Sequence, residues 1–333
     1  MAKNSIADSV VVITGASSGI GRAIAHEVAS GGGAVVVASR DAEALADVVR
    51  ECTERGGRAI AVTCDVAREQ EVQAVARRAV AEFGRIDVWI NNAAVALFAK
   101  FEDAPPDVYR RVMETNFFGY VHGARAAMHQ FRRQTRGILI NIDSVTAEAP
   151  QPYTSAYVAS KYAIRGWSAC LRMELSLEHE REIHVCNVMP AAIDTPLFQH
   201  AANYTGRAAK ALNPTYTAAK VAQAVASLIE SPRAEIIVGT AGRALAMQHK
   251  HAPRVYERVV ARVIDRDHFQ KKAAQPTEGN LFQSKGPKAV SGGWTARPSV
   301  ESAPEQRWAV AVATAAAGAF AVAFALRKLR GDR

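Results

Sequence analysis

The sequence predicts a doubly wound α/β fold, a single domain built on a parallel sheet of about seven strands with helices on both faces. Three observations carry that prediction: short Val- and Ile-rich runs recur through the first 240 residues, helical stretches alternate with them, and a glycine-rich turn follows the first run. Strands covered on both faces read as nearly continuous apolar runs rather than alternating ones. The runs are SVVVIT, AVVVAS, RAIAVT, IDVWIN, GILINI, IHVCNV and EIIVG. Amphipathic stretches lie between them, such as DAEALADVVRECTERGG, where Asp41 is placed to cap a helix and Gly56 to stop it.

This core occupies residues 1–240, and three segments follow it. Residues 241–272 form a basic helical extension, in which Val255, Val259, Val263 and Tyr256, Val260, Ile264 recur at four-residue spacing and Arg254, Arg258, Arg262 and Arg266 make a second stripe. Like charges at that spacing weaken an isolated helix and suit an anionic surface such as lipid headgroups, with a solvated or interface helix as the alternative. Residues 273–306, rich in Pro, Gly, Ser and Lys, read as a linker or extended arm. Residues 307–328 hold a hydrophobic helix, whose charge-free stretch 308–326 would span ~28 Å at ~1.5 Å per residue, close to a ~30 Å hydrocarbon core. Ten of those nineteen residues are Ala, which makes insertion only modestly favourable. The segment is read as a membrane anchor, with an oligomerising or packed soluble helix as the alternative.

The net charge of +9 is not spread evenly: residues 1–240 carry 25 basic and 25 acidic side chains, whereas 241–333 carry 16 and 7. The core therefore gives no sign of nucleic-acid binding. Four scattered cysteines, without CxxC or Cys/His clustering, fit reduced thiols in a cytoplasmic domain and predict no metal site. The polar start MAKNSIAD runs straight into a strand pattern, which predicts no signal peptide.

Chemistry enters with TGASSGIGRAIA, where Gly15, Gly19 and Gly21 lie between a strand and a helix. Such a turn lets backbone N–H groups and a helix N-terminus face a diphosphate, the logic of a Rossmann-type nucleotide site. Two Tyr-Lys pairs at four-residue spacing follow, Tyr157 with Lys161 and Tyr216 with Lys220. On a helix that spacing puts both side chains on one face.

With TGASSGIG, CDV, NNAA, ETNFFG, Ser144, YVASK and PAAIDTP in this order, residues 9–240 resemble the short-chain dehydrogenase/reductase family. The resemblance implies hydride transfer between NAD(P)(H) and a carbonyl or secondary alcohol. It implies that Thr14, Gly15, Ser17, Ser18, Gly19, Ile20 and Gly21 hold the diphosphate, that Asp65 with Val66 meets the adenine, and that Asn92 and Ala93 beside Asn91 border the cofactor. Pro190, Ile193 and Thr195 would line the nicotinamide, and 196–215 would be the lid over the substrate. Asn116, Ser144, Tyr157 and Lys161 would be the catalytic set, Tyr157 exchanging the proton, Ser144 orienting the oxygen, Lys161 holding the ribose and acidifying Tyr157, and Asn116 supporting a proton relay. Tyr157 and Lys161 would also touch the cofactor. The Tyr216 pair lacks this company, with Asn203 where the Ser should stand, so Lys220 is read as a solvated helix residue.

The end of the second strand reads VVVASRD, with Ser39 and Arg40 where an acidic residue would accept from a ribose 2′-OH. NADP(H) is therefore favoured over NAD(H), with Asp41 as the alternative ribose ligand and Arg22 as a second cation or a solvated residue. Three departures from the family pattern stand out: Asp143 before Ser144, Ala94 ending NNAA, and Ala191 after Pro190. Phe198, Tyr204 and several Ala in the lid suit an apolar, lipid-like carbonyl substrate. The family is often a homodimer or homotetramer, and the rival reading is a non-catalytic NADP(H)-binding regulator or membrane scaffold.

Overall fold

A computed structural model describes residues 5–295 of the chain. The hydrophobic stretch 307–328 lies outside the described residues. Among the described residues no helix is long and apolar enough to cross a membrane.

Each apolar run forms a strand: β1 (Val10–Thr14), β2 (Ala34–Ser39), β3 (Arg58–Thr63), β4 (Val88–Asn91), β5 (Gly137–Ile142), β6 (Ile183–Pro190) and β7 (Glu235–Val238). They make one seven-stranded sheet in the order β7-β6-β5-β4-β1-β2-β3. Successive side chains point to opposite faces. Val11, Ile13, Val35, Val37, Ile138 and Ile140 therefore enter one hydrophobic layer, and Val12, Val36, Trp89 and Leu139 enter the other. The first layer is closed by α1 (Gly19–Ser30), α2 (Ala42–Glu54) and α7 (Ala218–Glu230), through residues such as Ile24, Leu45 and Val225. The second is closed by α3 (Glu69–Phe83), α5 (Gly119–Gln134) and α6 (Ser155–Leu177), through Val72, Phe131 and Leu175. The two edge strands, β3 and β7, are partly exposed along their length, β3 the more so.

The chain winds outward from β1 in one direction and from β4 in the other. Their connections diverge at the carboxyl ends and leave a crevice there, the position where open α/β sheets take their ligands. α4 (Pro106–Met113) borders the crevice, and a π-helical turn, Glu114–Phe118, joins it to α5.

Beyond β7, α8 (Thr240–His251) and α9 (Pro253–Asp267) pack beside the crevice. Tyr256, Val260 and Ile264 of α9 are buried against Val145 and Ala149. Val255, Val259 and Val263, one helical step away, are 39%, 42% and 38% exposed. A helix turns ~100° per residue, so only one of the two columns packs into this cluster, while Val259 and Val263 of the other line the cavity. Arg254, Arg258, Arg262 and Arg266 are all exposed. The strand Phe269–Ala273 then pairs antiparallel with Arg207–Ala209, tying the predicted lid to the extension. Residues 274–295 return over the crevice. The Asn280 N–H donates to the His200 carbonyl at 2.8 Å, and Leu281 is wholly buried with Leu97, Val108 and Val112.

Candidate active site

The glycine turn is latched to the neighbouring strand. The Thr14 hydroxyl accepts from the N–H groups of Asn92 (3.0 Å) and Ala93 (3.2 Å), and the Asn92 side-chain amide donates to the carbonyls of Thr14 (2.9 Å) and Gly15 (3.0 Å). Gly15 has φ +66°, and a Cβ there would lie 2.6 Å from the Ala93 Cα. At Gly21 a Cβ would lie 2.4 Å from the Gly15 carbonyl oxygen. Both positions need glycine, for backbone conformation and for close approach. Ser18 caps α1 without a side-chain bond to it among the described residues, and the first N–H group of α1, that of Gly19, donates to the Ala289 carbonyl at 3.0 Å.

A cavity of 590 Å³ runs along the carboxyl edge of the sheet. The end expected from sequence to take a nucleotide is walled by Gly15, Ser17, Ser18, Gly19, Ile20, Ser39, Arg40, Asp65, Val66, Asn92 and Ala93. Ser144, Tyr157, Lys161, Pro190, Ile193 and Thr195 wall its middle, and Phe98, Leu212, Val260 and Ile264 its apolar end. Of the residues singled out from sequence, Thr14, Gly21 and Asn116 stand behind the wall rather than in it.

Charges at the nucleotide end are partnered by the protein. Arg40 donates to the carbonyls of Leu281 (2.8 Å) and Asn280 (2.5 Å). One Asp65 oxygen accepts from the Ala67 N–H at 3.1 Å, the other from Arg111 at 2.5 Å. Burial alone would raise the Asp65 pKa, but the Arg111 hydrogen bond, the Ala67 amide and the charges of Arg111 and Arg40 hold it below the usual carboxylate value. Asp41 caps α2 by accepting from the Ala44 N–H at 3.0 Å, and its second oxygen meets Lys288 at 2.7 Å. Lys288 keeps that carboxyl low. Arg22 is not solvated: it pairs with Glu51, at 3.0 Å through Nε, and donates to the Lys288 carbonyl at 2.6 Å.

The end expected from sequence to be catalytic differs. Lys161 is 1% exposed; its ammonium donates to the Ile142 carbonyl at 2.8 Å and lies 5.5 Å from the centre of the Tyr157 ring. The Ser144 hydroxyl accepts from the Thr146 N–H at 3.2 Å, capping a single turn, Val145–Ala147. Asn116 sits in the π-helical turn, accepts from the Val95 N–H at 2.8 Å and donates to the Ser160 hydroxyl at 3.2 Å. Ser160 in turn donates to the Tyr157 carbonyl at 2.6 Å. Asn116 thus braces α6 one residue from Lys161.

Asp143 is 3% exposed, and neither carboxylate oxygen has a hydrogen-bond partner among the described residues. Burial pushes its pKa far above the usual carboxylate value, against the pull of Lys161. Burial likewise lowers the Lys161 pKa. The Tyr157 phenol is held well above its ordinary value by burial, lowered by the Ser144 hydroxyl and raised again by Asp143. Desolvation of the phenolate is the largest cause of that shift.

The second pair is accounted for as structure. The Tyr216 hydroxyl lies 3.1 Å from the Thr240 hydroxyl and accepts from the Ala241 N–H at 3.2 Å, fixing the start of α8. Lys220 is exposed, 4.9 Å from the Tyr216 ring centre.

Several groups around the cavity have no local sequence signal. Arg111 holds Asp65 from α4, and His268, 3% exposed with its pKa lowered to about 4 by burial, lines the apolar end. Asn280, Ser284, Lys285 and Lys288 wall the nucleotide end from a segment that shows no periodicity.

The sequence pattern of the short chain dehydrogenase family matches residues 9–206. The chain belongs to that family. Among its relatives, the uncharacterized oxidoreductase YxnA of Bacillus subtilis is 36% identical over 281 residues, 84% of this chain and 79% of that protein. Dehydrogenase/reductase SDR family member 7B of Bos taurus is 31% identical over 267 residues, 77% of this chain and 81% of its own. A short chain dehydrogenase/reductase from Burkholderia phymatum, solved in complex with NAD, superposes with a TM-score of 0.69 at 26% identity, covering 77% of this chain and 97% of that one. An alcohol dehydrogenase from Thermococcus sibiricus, complexed with 5-hydroxy-NADP, shares the fold, with a TM-score of 0.60 at 24% identity over 69% of this chain and 95% of that one. This short chain dehydrogenase is thus an oxidoreductase on a Rossmann-type fold.

Proposed function

We propose that the enzyme transfers hydride between NADP(H) and an apolar carbonyl or secondary alcohol. The observation that carries this reading is that one cavity joins the glycine turn and Arg40 at one end to Ser144, Tyr157 and Lys161 further along. The residues suit a dinucleotide: the glycine turn and the start of α1 line the cavity for a diphosphate, and Arg40 lies at the end of β2 for a 2′-phosphate. Lys288 neutralises Asp41, the carboxylate that would otherwise repel that phosphate. When bound, the nicotinamide supplies or accepts the hydride.

The chain's own groups handle the oxygen and its proton. Tyr157 donates its phenolic proton to the substrate oxygen in reduction, and the Ser144 hydroxyl stabilises the charge that develops there. The Lys161 ammonium, 5.5 Å from the centre of the Tyr157 ring, favours the phenolate left behind. Thr195 and Pro190 line the same wall for the nicotinamide. Phe98, Leu212, Val260 and Ile264 support an apolar, lipid-like substrate. NADPH absorbance followed with lipid, steroid, acyl and small carbonyl compounds, with NADH in parallel, tests the reading. Faster turnover with NADH would remove the Arg40 argument, and binding without turnover would favour the regulator reading.

The division into a core of residues 1–240 and three following segments, a homodimer or homotetramer, and a cytoplasmic domain tethered through 307–328 belong to the same proposal. The tether rests on the charge-free stretch 308–326. Fractionation of the full chain and of a form lacking 306–333 tests the tether, since a tether requires that only the full chain sediment with membranes. Light scattering on the purified protein tests the oligomer.

A further inference from the structure

Residues 277–295 cross the nucleotide end of the cavity and touch the end of β2, the glycine turn, α4 and the stretch after β6. At the end of β2, Arg40 donates to the carbonyls of Asn280 and Leu281. Asp41 there takes Lys288 at 2.7 Å and the Ser284 hydroxyl at 3.1 Å. On the glycine turn, the Gly19 N–H donates to the Ala289 carbonyl at 3.0 Å. From α4, Arg111, which also holds Asp65, donates to the Leu281 carbonyl at 3.0 Å. After β6 the segment is anchored on Asp194, which is 3% exposed. One Asp194 oxygen accepts from the N–H groups of Gly292 and Trp294, both at 2.9 Å, and the other from the hydroxyls of Ser291 and Thr295, both at 2.7 Å. The segment does not fill the cavity, because Asn280, Ser284, Lys285 and Lys288 stand in its wall.

We propose that this arm is part of the cofactor site: it straps the adenosine half of the dinucleotide in place, and its Lys288 selects the 2′-phosphorylated form by neutralising Asp41. The inference rests on the reading of the cleft as an NADP(H) site. Its physical basis is twofold. A dinucleotide lying between the glycine turn and Asp65 sits beneath the arm, so its release requires the arm to lift. An Asp41 without Lys288 would place an unpaired negative charge beside Arg40, where it favours a ribose diol and opposes a phosphate.

The test uses the full chain and three variants, with NADPH and NADH affinities and the NADPH release rate measured by fluorescence displacement, and thermal melting to show that each variant folds. Lys288→Ala lowers the ratio of NADPH to NADH affinity about tenfold, and Lys288→Arg restores it. Asp194→Ala removes four hydrogen bonds from the arm's anchor and speeds NADPH release about tenfold or more. In the unsubstituted protein, bound NADP+ slows hydrogen exchange at the Gly292 and Trp294 amides. The proposal is overturned if the unsubstituted protein binds NADPH but Lys288→Ala and Asp194→Ala keep its affinities and release rate. Tighter NADPH binding in either variant also overturns it, because the arm would then compete for the cleft. If the unsubstituted protein binds neither dinucleotide, the proposed function fails instead.

Discussion

At one end of the cavity Arg40, Asp41, Asp65 and Arg111 each meet a partner supplied by the protein. At the other, Asp143 is buried in the same wall with no hydrogen-bond partner among the described residues. The consequence is visible in the direction of the pKa shifts. Asp41 and Asp65 are held below the usual carboxylate value, as charges in company are. Asp143, Lys161 and Tyr157 are all displaced toward their neutral forms by burial. The partnered end is suited to holding and choosing a charged ligand, the desolvated end to moving a proton.

The sharpest way to break this contrast is Tyr157→Phe. It is expected to lower kcat by about 10³-fold while NADPH affinity stays within about threefold. A near-normal kcat would remove Tyr157 from the chemistry, and a large loss of affinity would show that the two ends are not separable. Arg40→Ala is the complementary change. NADPH affinity should fall about tenfold and NADH affinity hold steady, with kcat little altered. An equal loss for both cofactors would mean that Arg40 acts through the arm rather than through the 2′-phosphate.

Asp143→Asn probes the catalytic end by pH. Removing a negative charge beside the phenol lowers the Tyr157 pKa, so the alkaline fall in kcat/KM for carbonyl reduction should move to lower pH. The folded-state pKa of Asp143 lies above its unfolded value, so its ionisation costs stability, from ~4 upward and fully once pH exceeds the folded value. The variant should therefore gain in Tm as pH rises from acid to neutral, measured by thermal melting across that range. A pH-independent difference would place Asp143 outside the electrostatics of the site.

Glu51→Gln carries the smallest effect. Arg22 and His26 both pair with Glu51, and the Arg22 hydrogen bond dominates in holding the Glu51 carboxyl down to about 2. Its contribution is present above ~4.3 and is lost as pH falls toward 2, so the variant should be destabilised by about 1 kcal/mol at neutral pH and match the parent near pH 2. Because Arg22 also donates to the Lys288 carbonyl, faster NADPH release in this variant would tie the pair to the arm.

The central strands were legible because a strand buried on both faces must be apolar at nearly every position, the partly exposed edge strands β3 and β7 through their short Ile- and Val-bearing runs, and the parallel order follows from the helices between them. The relation of Ser144, Tyr157 and Lys161 to one cavity was legible through motif order. Asp143 could be named from sequence but not interpreted, since an acidic residue beside a site is either solvated or buried, and only packing decides which. The helix of residues 253–266 had the right period, yet which of its two valine-bearing columns turned inward depended on Val145 and Ala149, about a hundred residues earlier. Arg22 was open between cation and solvated residue for the same reason: its partner Glu51 lies on another helix.

The sequence by itself determined the sheet, the glycine turn and the family, because each is written in local period or in residues a few positions apart. Tertiary structure decided how Arg40 and Asp41 are used, since their partners are 240 or more residues away in a segment without periodicity. It also decided that the Tyr157 phenol is buried and held above its ordinary value, because desolvation is a property of everything packed around a group and of no spacing along the chain.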